Sequence, residues 1–363
     1  MVLRRLVTLP LVLLAVAAMT FGLVAVSPYD PMAAYMAAAG SVSPETAERI
    51  ARVWGFDAPM HEQFLRWLSN LLQGDLGHSR LLGGQPVGEQ LLARLGPSAL
   101  LVCTALALVL IGGLLAGTAA AAFRDGPFDW LVRSASYISV AAPSFWVGLL
   151  LLWVFAVVLG WLPPGGAGDL RGGALPAVSL PHLILPAVTL AGMQFGWFAM
   201  YVRNQLLEVL REDYVRFAEA QGITRMAVLL RHALPNALLP FVTLTGAQLS
   251  ELIGGAVLAE TVFGWPGVGS LAVEAARVVD LPLLVAITLA GSVLVVLGNL
   301  VADLGYRVVD PRVREPAWRP QVGVTARPSG VTLEPAVGCG RACRRRGWVG
   351  GCCSARASPA VDG

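Results

Sequence analysis

Apolar residues in this chain fall into long runs that are separated by shorter polar segments. Stretches free of Asp, Glu and Arg reach at least about 20 residues, the length that crosses a hydrocarbon core of about 30 Å, at 6–29, 95–123, 134–168, 172–202 and 281–302. A sixth stretch, 232–250, continues past Glu251 to Ala259. The pattern predicts six membrane-spanning helices, at about 6–26, 98–122, 138–160, 182–202, 238–259 and 282–303.

The composition supports a membrane location. Charged residues make up 13% of the 363 residues, against roughly 25% in ordinary soluble domains, and hydrophobic residues make up 56%. The mean hydropathy is +0.68. A soluble protein of this length would lack the charge to cover its surface, so we expect an all-α, polytopic membrane protein.

All 26 basic residues are arginine, and the absence of lysine excludes several chemistries. A P-loop needs a lysine that reaches the phosphates of the nucleotide, and Schiff-base chemistry needs a lysine amine. The chain is therefore not expected to hydrolyse ATP in the P-loop manner or to anchor pyridoxal phosphate. Strong G+C bias in the gene is the favoured explanation for the missing lysine, and the exclusion holds whatever the cause.

The positions of the arginines predict the orientation, because positive residues concentrate in cytoplasmic segments. Arg4 and Arg5 precede the first helix, five arginines lie in the 203–236 segment, and ten follow the sixth helix. With six spans these segments share one side, so both termini are expected in the cytoplasm. The first apolar run exceeds the 7–15 residues usual in the apolar region of a signal peptide, which predicts a retained anchor.

The 203–236 segment has the pattern of two short helices joined at a glycine. Tyr214, Phe217, Ala218 and Gln221 recur at helical spacing and predict one apolar face, and Gly222 interrupts the pattern. A second helix is predicted over about 225–234, with Pro235 at its end and with an apolar side formed by Met226, Leu229, Leu230 and Ala233. We expect the apolar faces to pack on the ends of the membrane helices.

Several motifs in this chain together resemble those of ABC importer permeases of the dipeptide, oligopeptide and nickel type. The segment from Asp213 to Gly222, followed by His232-Ala233-Leu234-Pro235-Asn236, is similar to the EAA loop of such permeases. Further matching stretches are Gly74-Asp75-Leu76-Gly77, Pro143-Ser144-Phe145-Trp146, Gly160-Trp161-Leu162-Pro163-Pro164, Glu260-Thr261-Val262-Phe263-Gly264-Trp265-Pro266-Gly267 and Asp310-Pro311-Arg312. The resemblance covers about residues 1–314.

The resemblance implies a pore subunit of an ATP-driven importer in a bacterial inner or plasma membrane. Its expected partners are a second homologous permease subunit, two ABC ATPase subunits, an extracytoplasmic solute-binding protein and the lipid bilayer, with no nucleic acid. No cofactor is expected on this chain, because ATP and Mg²⁺ would bind the ATPase subunits. The expected cargo is a di- or oligopeptide, with nickel or another small solute as the alternative.

The same resemblance assigns roles within the EAA-like loop. Ala218, Ala220 and Gly222 are expected to provide close packing and the hinge. Arg216, Glu219 and Arg225 are candidates for polar contacts with an ATPase subunit. The closing part of the motif supplies three further candidate residues, His232, Leu234 and Pro235.

Glu251 and the turn after the fifth helix are candidates for the translocation path or its gate. A carboxylate at membrane depth usually faces a cavity or a partner, so Glu251 either lines the path and meets a cationic group or forms a hydrogen bond within the bundle. The turn contains Phe263, Trp265, Pro266 and Gly267, and its aromatic residues are expected to anchor it at the membrane surface or to plug the pore.

Two other classes of function fit the sequence less well. An intramembrane hydrolase would need a nucleophile with a base, or paired acids, whereas Glu251 has no evident partner acid and Ser144 no identifiable histidine. A stand-alone secondary transporter would not need an EAA-like loop. The four histidines are not at metal-ligand spacing with one another or with cysteine, so no metal site is expected.

We expect three parts along the chain. Residues 1–95 contain the first helix and an extracytoplasmic helical loop, and 96–310 form the permease domain. Residues 311–363 are expected to be a disordered cytoplasmic tail that contains four of the five cysteines in no usual zinc pattern.

Overall fold

The computed structural model describes residues 2–26, 59–79, 81–168 and 179–309, which are mainly helical. The predicted tail and its cysteines lie outside this part of the chain. The strands β1 (His78–Ser79) and β2 (Gln85–Pro86) pair in antiparallel fashion and form a hairpin. The helices are α1 Val2–Val26, α2 Met60–Leu72, α3 Val87–Ala122, α4 Pro127–Ala141, α5 Ser144–Leu152, α6 Leu180–Val209, α7 Asp213–Ala220, α8 Arg225–Ala227, α9 Leu234–Ala237, α10 Leu239–Phe263, α11 Val268–Arg277 and α12 Leu281–Val309.

The long helices occupy the positions predicted for the membrane spans. By length and composition, α3, α6 and the Leu281–Leu300 part of α12 can each cross a bilayer. Two further crossings are possible only if helices that meet at a sharp bend are taken together: α4 with the extended α5, at 110°, and the last part of α10 with α11, at 74°. The first helix, α1, has a shorter apolar stretch, Thr8–Val24. The predicted all-α membrane fold is confirmed.

The third predicted helix, 138–160, is not continuous. Its chain path breaks at Ala142, whose ψ of 135° is extended, and α5 begins after Pro143 and continues as a π-helix over Trp153–Val158. A residue before proline is sterically disfavoured in the helical conformation. The prediction of one helix over 138–160 was wrong, because Pro143 disfavours the helical conformation at Ala142.

The helices α3 and α6 pack closely against each other through two glycines of α3. A Cβ added to Gly117 would lie 2.5 Å from the carbonyl oxygen of Ala199 and 2.8 Å from Cβ of Val202, and one added to Gly113 would lie 2.9 Å from Cβ of Phe198. Glycines four residues apart let two membrane helices approach closely enough for extensive van der Waals contact. The core of the bundle forms around this contact and includes Leu101, Leu190 and Trp265.

The first helix packs against the last through an aromatic cluster. Phe21 of α1 lies with its ring centroid 5.2 Å from that of Phe64 and 5.7 Å from that of Trp67, both on α2. These rings contact the α12 side chains of Leu281, Val285 and Leu289. The amphipathic helix α2 is thus held on the side of α12.

The hairpin is tied to the start of α12 by a buried carboxylate. Asp280 Oδ2 accepts hydrogen bonds from Ser79 Oγ at 2.7 Å and from the Leu81 N–H at 2.9 Å, and both Asp280 and Ser79 are fully buried. The helix α3 begins at Val87, directly after the hairpin, and it runs without interruption across the predicted domain boundary at 95/96.

We predict that Gly117→Ala destabilises the protein by about 1–3 kcal/mol, the usual cost of overpacking. Gly112→Ala is the matched control, because its added Cβ would lie 3.6 Å from the nearest atom, the Phe195 ring. Alanine favours a helix over glycine, so the control should be neutral or slightly stabilising. Thermal unfolding of the two purified variants in detergent measures the difference, and equal midpoints would contradict the close-packing account.

Candidate functional site

The 203–236 segment contains the two helical parts that the sequence predicts. The first is α7, which ends at a left-handed glycine: Gly222 has φ of +83° and its N–H donates to the Glu219 carbonyl oxygen at 3.0 Å. Glycine adopts this conformation without the penalty that a Cβ imposes. The second part starts at Arg225, so Gly222 sets the angle between the two.

The side of α7 that packs is not the predicted one. Val215 and Ala218 are buried and contact Val228, whereas Tyr214 and Phe217 are exposed. The prediction was right for Ala218 and wrong for the aromatic residues, because α7 rests on the chain just after α6 and small side chains fit that contact. The segment therefore has an inner surface of small aliphatic residues and an outer surface that includes the exposed phenyl ring of Phe217.

In the second helical part, only some of the residues predicted to form the apolar side are buried. Leu229 and Ala233 are buried as expected, but Met226 and Leu230 are exposed. The reason is a change of helical repeat, since the chain is π-helical over Val228–Ala233. Residues spaced for one face of an α-helix do not share a face when the turn widens.

Pro235 does not end the helical path as predicted. It lies in the first turn of α9, where the missing N–H of proline costs nothing, and the chain continues into α10. The neighbouring Asn236 Nδ2 donates to Tyr214 Oη at 3.0 Å and to the His232 carbonyl oxygen at 3.0 Å. These bonds connect α7 to the base of α10.

The remaining candidate residues of the loop are mostly solvent-facing. Leu234 is half-buried, and the exposed ones are Arg216, Glu219, Ala220, Gly222, Arg225, His232 and Pro235. Arg216 lies 3.8 Å from Asp213, and because both side chains are exposed the pair contributes little to stability. Their charges are therefore available to another molecule.

The turn between α10 and α11 is built into the core. Phe263 and Trp265 are buried, and the Trp265 indole N–H donates to the Pro97 carbonyl oxygen at 3.1 Å. The expectation that these rings anchor the turn at a membrane surface was wrong, because both side chains point into the bundle. Gly264, at φ +61°, lets the chain reverse after α10, and Pro266 is half-buried.

A buried carboxylate organises this turn. Glu260 accepts hydrogen bonds from Ser98 Oγ at 2.6 Å and from the Ser270 N–H at 3.0 Å, and Ser98 Oγ accepts one from the Val268 N–H at 2.7 Å. A Cβ at Gly267 would overlap the Glu260 carboxylate. Gly267 is thus required for packing, and the turn is fixed to α3.

Glu251 lies at the midpoint of α10 and borders a cavity of about 350 Å³. Its Oε2 accepts a hydrogen bond from Gln194 Nε2 of α6 at 2.8 Å. The bond to Gln194 agrees with the second alternative raised for Glu251, a hydrogen bond within the bundle. A place on the translocation path stays a prediction.

Comparison with known proteins identifies the class. Residues 113–315 match the family described as binding-protein-dependent transport system inner membrane component, and residues 1–80 match the N-terminal part of the same kind of component. The chain belongs to this permease family. The resemblance found in the sequence is confirmed, and the permease is a transport component of an ABC importer, not an enzyme.

Curated relatives align with the permease along nearly their whole length. The oligopeptide transport system permease protein AppB of Bacillus subtilis is 38% identical over 310 residues, 85% of this chain and 97% of that one. A putative peptide transport system permease protein of Brucella abortus is 40% identical over 314 residues, 86% and 98%. The glutathione transport system permease protein GsiC of Salmonella paratyphi A is 36% identical over 313 residues, 86% and 98%.

Among solved structures, an inward-facing form of the MetNI methionine ABC transporter aligns with a TM-score of 0.49 and 18% identity. It covers 61% of this chain and 96% of that one.

A buried ion pair joins α4 to α6 at the start of the 203–236 segment. The sequence did not predict it. Arg203 near the end of α6 donates to Asp129 of α4 through Nε at 2.6 Å and Nη2 at 2.7 Å, and Asp129 also accepts from the Asp125 N–H at 3.0 Å. Asp129 is fully buried. The sequence signal was Arg203 directly after the apolar run 172–202, but spacing alone cannot pair it with Asp129, 74 positions earlier.

We predict that Arg203→Ala destabilises the permease by about 3–5 kcal/mol, because it leaves the Asp129 carboxylate buried without a partner. Arg124→Ala is the matched control, since its 3.2 Å pair with Asp125 is exposed and such pairs contribute at most about 1 kcal/mol. Denaturant unfolding of both variants in detergent checks the difference. Similar losses of stability in the two variants would show that the Asp129–Arg203 pair does not contribute this much to the free energy of unfolding.

Proposed function

We propose that the permease is one half of a translocation pore that imports di- or oligopeptides. A second homologous permease subunit completes the pore, two ATPase subunits bind ATP and Mg²⁺, and a solute-binding protein delivers the cargo. The names of the relatives support a peptide cargo, since they describe oligopeptide, peptide and glutathione transport. Nickel is the alternative cargo in this branch, and no relative compared above is named for it.

The observation that carries the proposal is the exposed apolar surface of α7 and the following helical part. Phe217 is 67% exposed, and Met226 and Leu230 are also exposed. Apolar side chains grouped outside the bundle are typical of a protein–protein interface. The exposed charges of Glu219 and Arg225 lie beside them and form no ion pair with another described residue. The occupant we propose is an ATPase subunit.

The arginine distribution supports an orientation with both termini and the 203–236 segment in the cytoplasm. In that orientation α7 and α8 face the side on which ATP is available. The turn between α10 and α11, the hairpin and α2 then face the side of the binding protein.

The contacts of α7 supply a route for mechanical work. Val215 and Ala218 pack against Val228, and Asn236 joins Tyr214 to the start of α9. A partner that grips the outer surface of α7 would therefore move α6 and α10 together as a rigid body, which is how such segments drive alternating access. The Asp129–Arg203 pair extends the moving unit to α4.

The competing function is a secondary transporter that works alone. In such a protein the exposed surface of α7 would have no partner, and uptake would follow an ion gradient. Co-expression of the permease with ABC ATPase subunits of the same organism separates the two: the proposal expects a complex that survives purification and that hydrolyses ATP.

We predict that Phe217→Ser weakens binding of the ATPase subunit by about 10-fold to 100-fold, since burying a phenyl side chain contributes about 1.5–3 kcal/mol. Phe123→Ser is the matched control, because Phe123 is a comparably exposed phenylalanine, at 60%, at the end of α3 outside the EAA-like motif. The measurement is the yield of ATPase copurified with each variant and the ATP-dependent uptake of a radiolabelled oligopeptide into proteoliposomes.

Both variants should unfold at the wild-type temperature, because neither side chain is buried. Loss of copurification in both variants, or in neither, would contradict the proposed role of α7. Peptide uptake by the permease without any ATPase would favour the stand-alone transporter.

A further inference from the structure

The cavity beside Glu251 lies halfway along α10. Glu251 is the midpoint of α10, about 18 Å from each of its ends at 1.5 Å per residue, so a crossing by the whole of α10 would place it near the centre of the bilayer. The cavity lies at the break between α4 and α5, where Ala142 and Ser144 border it. Non-helical backbone at membrane depth usually lines a cavity or a site.

The chemistry of the cavity is that of a site for a cation. Glu251 is the one ionisable group among the residues that border it. Among the side chains that the structure describes, no arginine or histidine lies within ion-pair distance of Glu251. Gln194 satisfies Oε2 only. The other oxygen of the carboxylate therefore remains available to a positively charged group.

Two more side chains fit the same ligand. Gln248 Oε1 is buried at the cavity and has no hydrogen-bond partner, which costs about 1–3 kcal/mol unless a donor approaches. Trp197 also borders the cavity, and its ring stacks on Tyr201 at a centroid distance of 5.5 Å and an angle of 8°. A fixed indole ring attracts a cation to its face. Carboxylate, amide oxygen and indole together are a suitable set for an ammonium group.

A metal ion fits this set less well. A transition metal such as nickel takes several nitrogen, oxygen or sulfur ligands, and the described residues contain no group of three or more His, Cys, Asp or Glu side chains that could hold one. The volume of about 350 Å³ is within the range of sites for small organic molecules, roughly 300–1,000 Å³.

We propose that Glu251, with Gln248 and Trp197, binds the free α-ammonium group of a peptide during its passage through the pore. The inference rests on the proposed function, because it names the part of a peptide cargo that the permease itself recognises. It assigns to the permease a selection by charge in addition to any made by the binding protein. Gln194 positions the Glu251 carboxylate and remains bonded to it.

The test uses the complete transporter in proteoliposomes with its binding protein and ATP. Two forms of one peptide are compared, with a free and with an acetylated amino terminus, chosen so that the wild-type complex imports both at saturating binding protein. Glu251→Gln keeps the shape of the side chain and its bond to Gln194 while removing the charge. Glu274→Gln, an exposed carboxylate on α11 outside the cavity, is the matched control.

In the Glu251→Gln complex, uptake of the free-amine peptide should fall about tenfold, the loss of one charged hydrogen bond, while uptake of the acetylated peptide stays at the wild-type level. The Glu274→Gln complex should import both as the wild type does. Unchanged uptake of the free-amine peptide by Glu251→Gln, or an equal loss for both peptides, overturns the inference and leaves the proposed function standing. A wild-type complex that imports neither form of any peptide overturns the proposed function itself.

Discussion

The close contact between α3 and α6 is the constraint on which the other features of the permease depend. In a bilayer the lipid tails are as apolar as the side chains, so helices associate mainly through van der Waals contact and hydrogen bonds. Gly113 and Gly117 remove the side chains that would separate the two helices. Both functional regions are attached to α6: Gln194 beside the Glu251 cavity, and Arg203 at the base of the 203–236 segment. Their relative positions are therefore set by where α6 rests on α3.

Buried carboxylates fix the two ends of the bundle. Asp129 joins α4 to α6 near the 203–236 segment, whereas Glu260 and Asp280 join α10 to α3 and α12 to the hairpin at the other end. A carboxylate removed from water needs strong partners, so each of these contacts has a defined geometry. The outer side of α7 has no such contact, since Tyr214 and Phe217 are exposed there. A rigid-body mechanism requires helix ends that are firmly fixed to one another and an exposed surface, here the outer side of α7, that a partner can bind.

The sequence was sufficient for the class of the fold and for the position of the loop, because both rest on local patterns. Long apolar runs give spans, and the stretch from Asp213 to Gly222 gives a helix that ends at a glycine. It failed where the outcome depends on distant contacts or on a change of helical repeat. The burial of Trp265 depends on Pro97, 168 residues away, and the exposure of Leu230 depends on the π-helical turn before Pro235. The break before Pro143 was readable locally and was missed.

The bond between Gln194 and Glu251 connects the proposed cargo site to the proposed motor site. Gln194 lies about 22 Å along α6 from the end of that helix at Val209, and the 203–236 segment begins on its last turns. Movement of α6 and α10 as one body would keep this bond and would shift the Glu251 carboxylate relative to α5, whose Ser144 borders the same cavity. That carboxylate would then hold an ammonium group more strongly in one state than in the other. Since coupling between sites is reciprocal, a bound cargo would in turn favour one position of α6, and with it one position of α7.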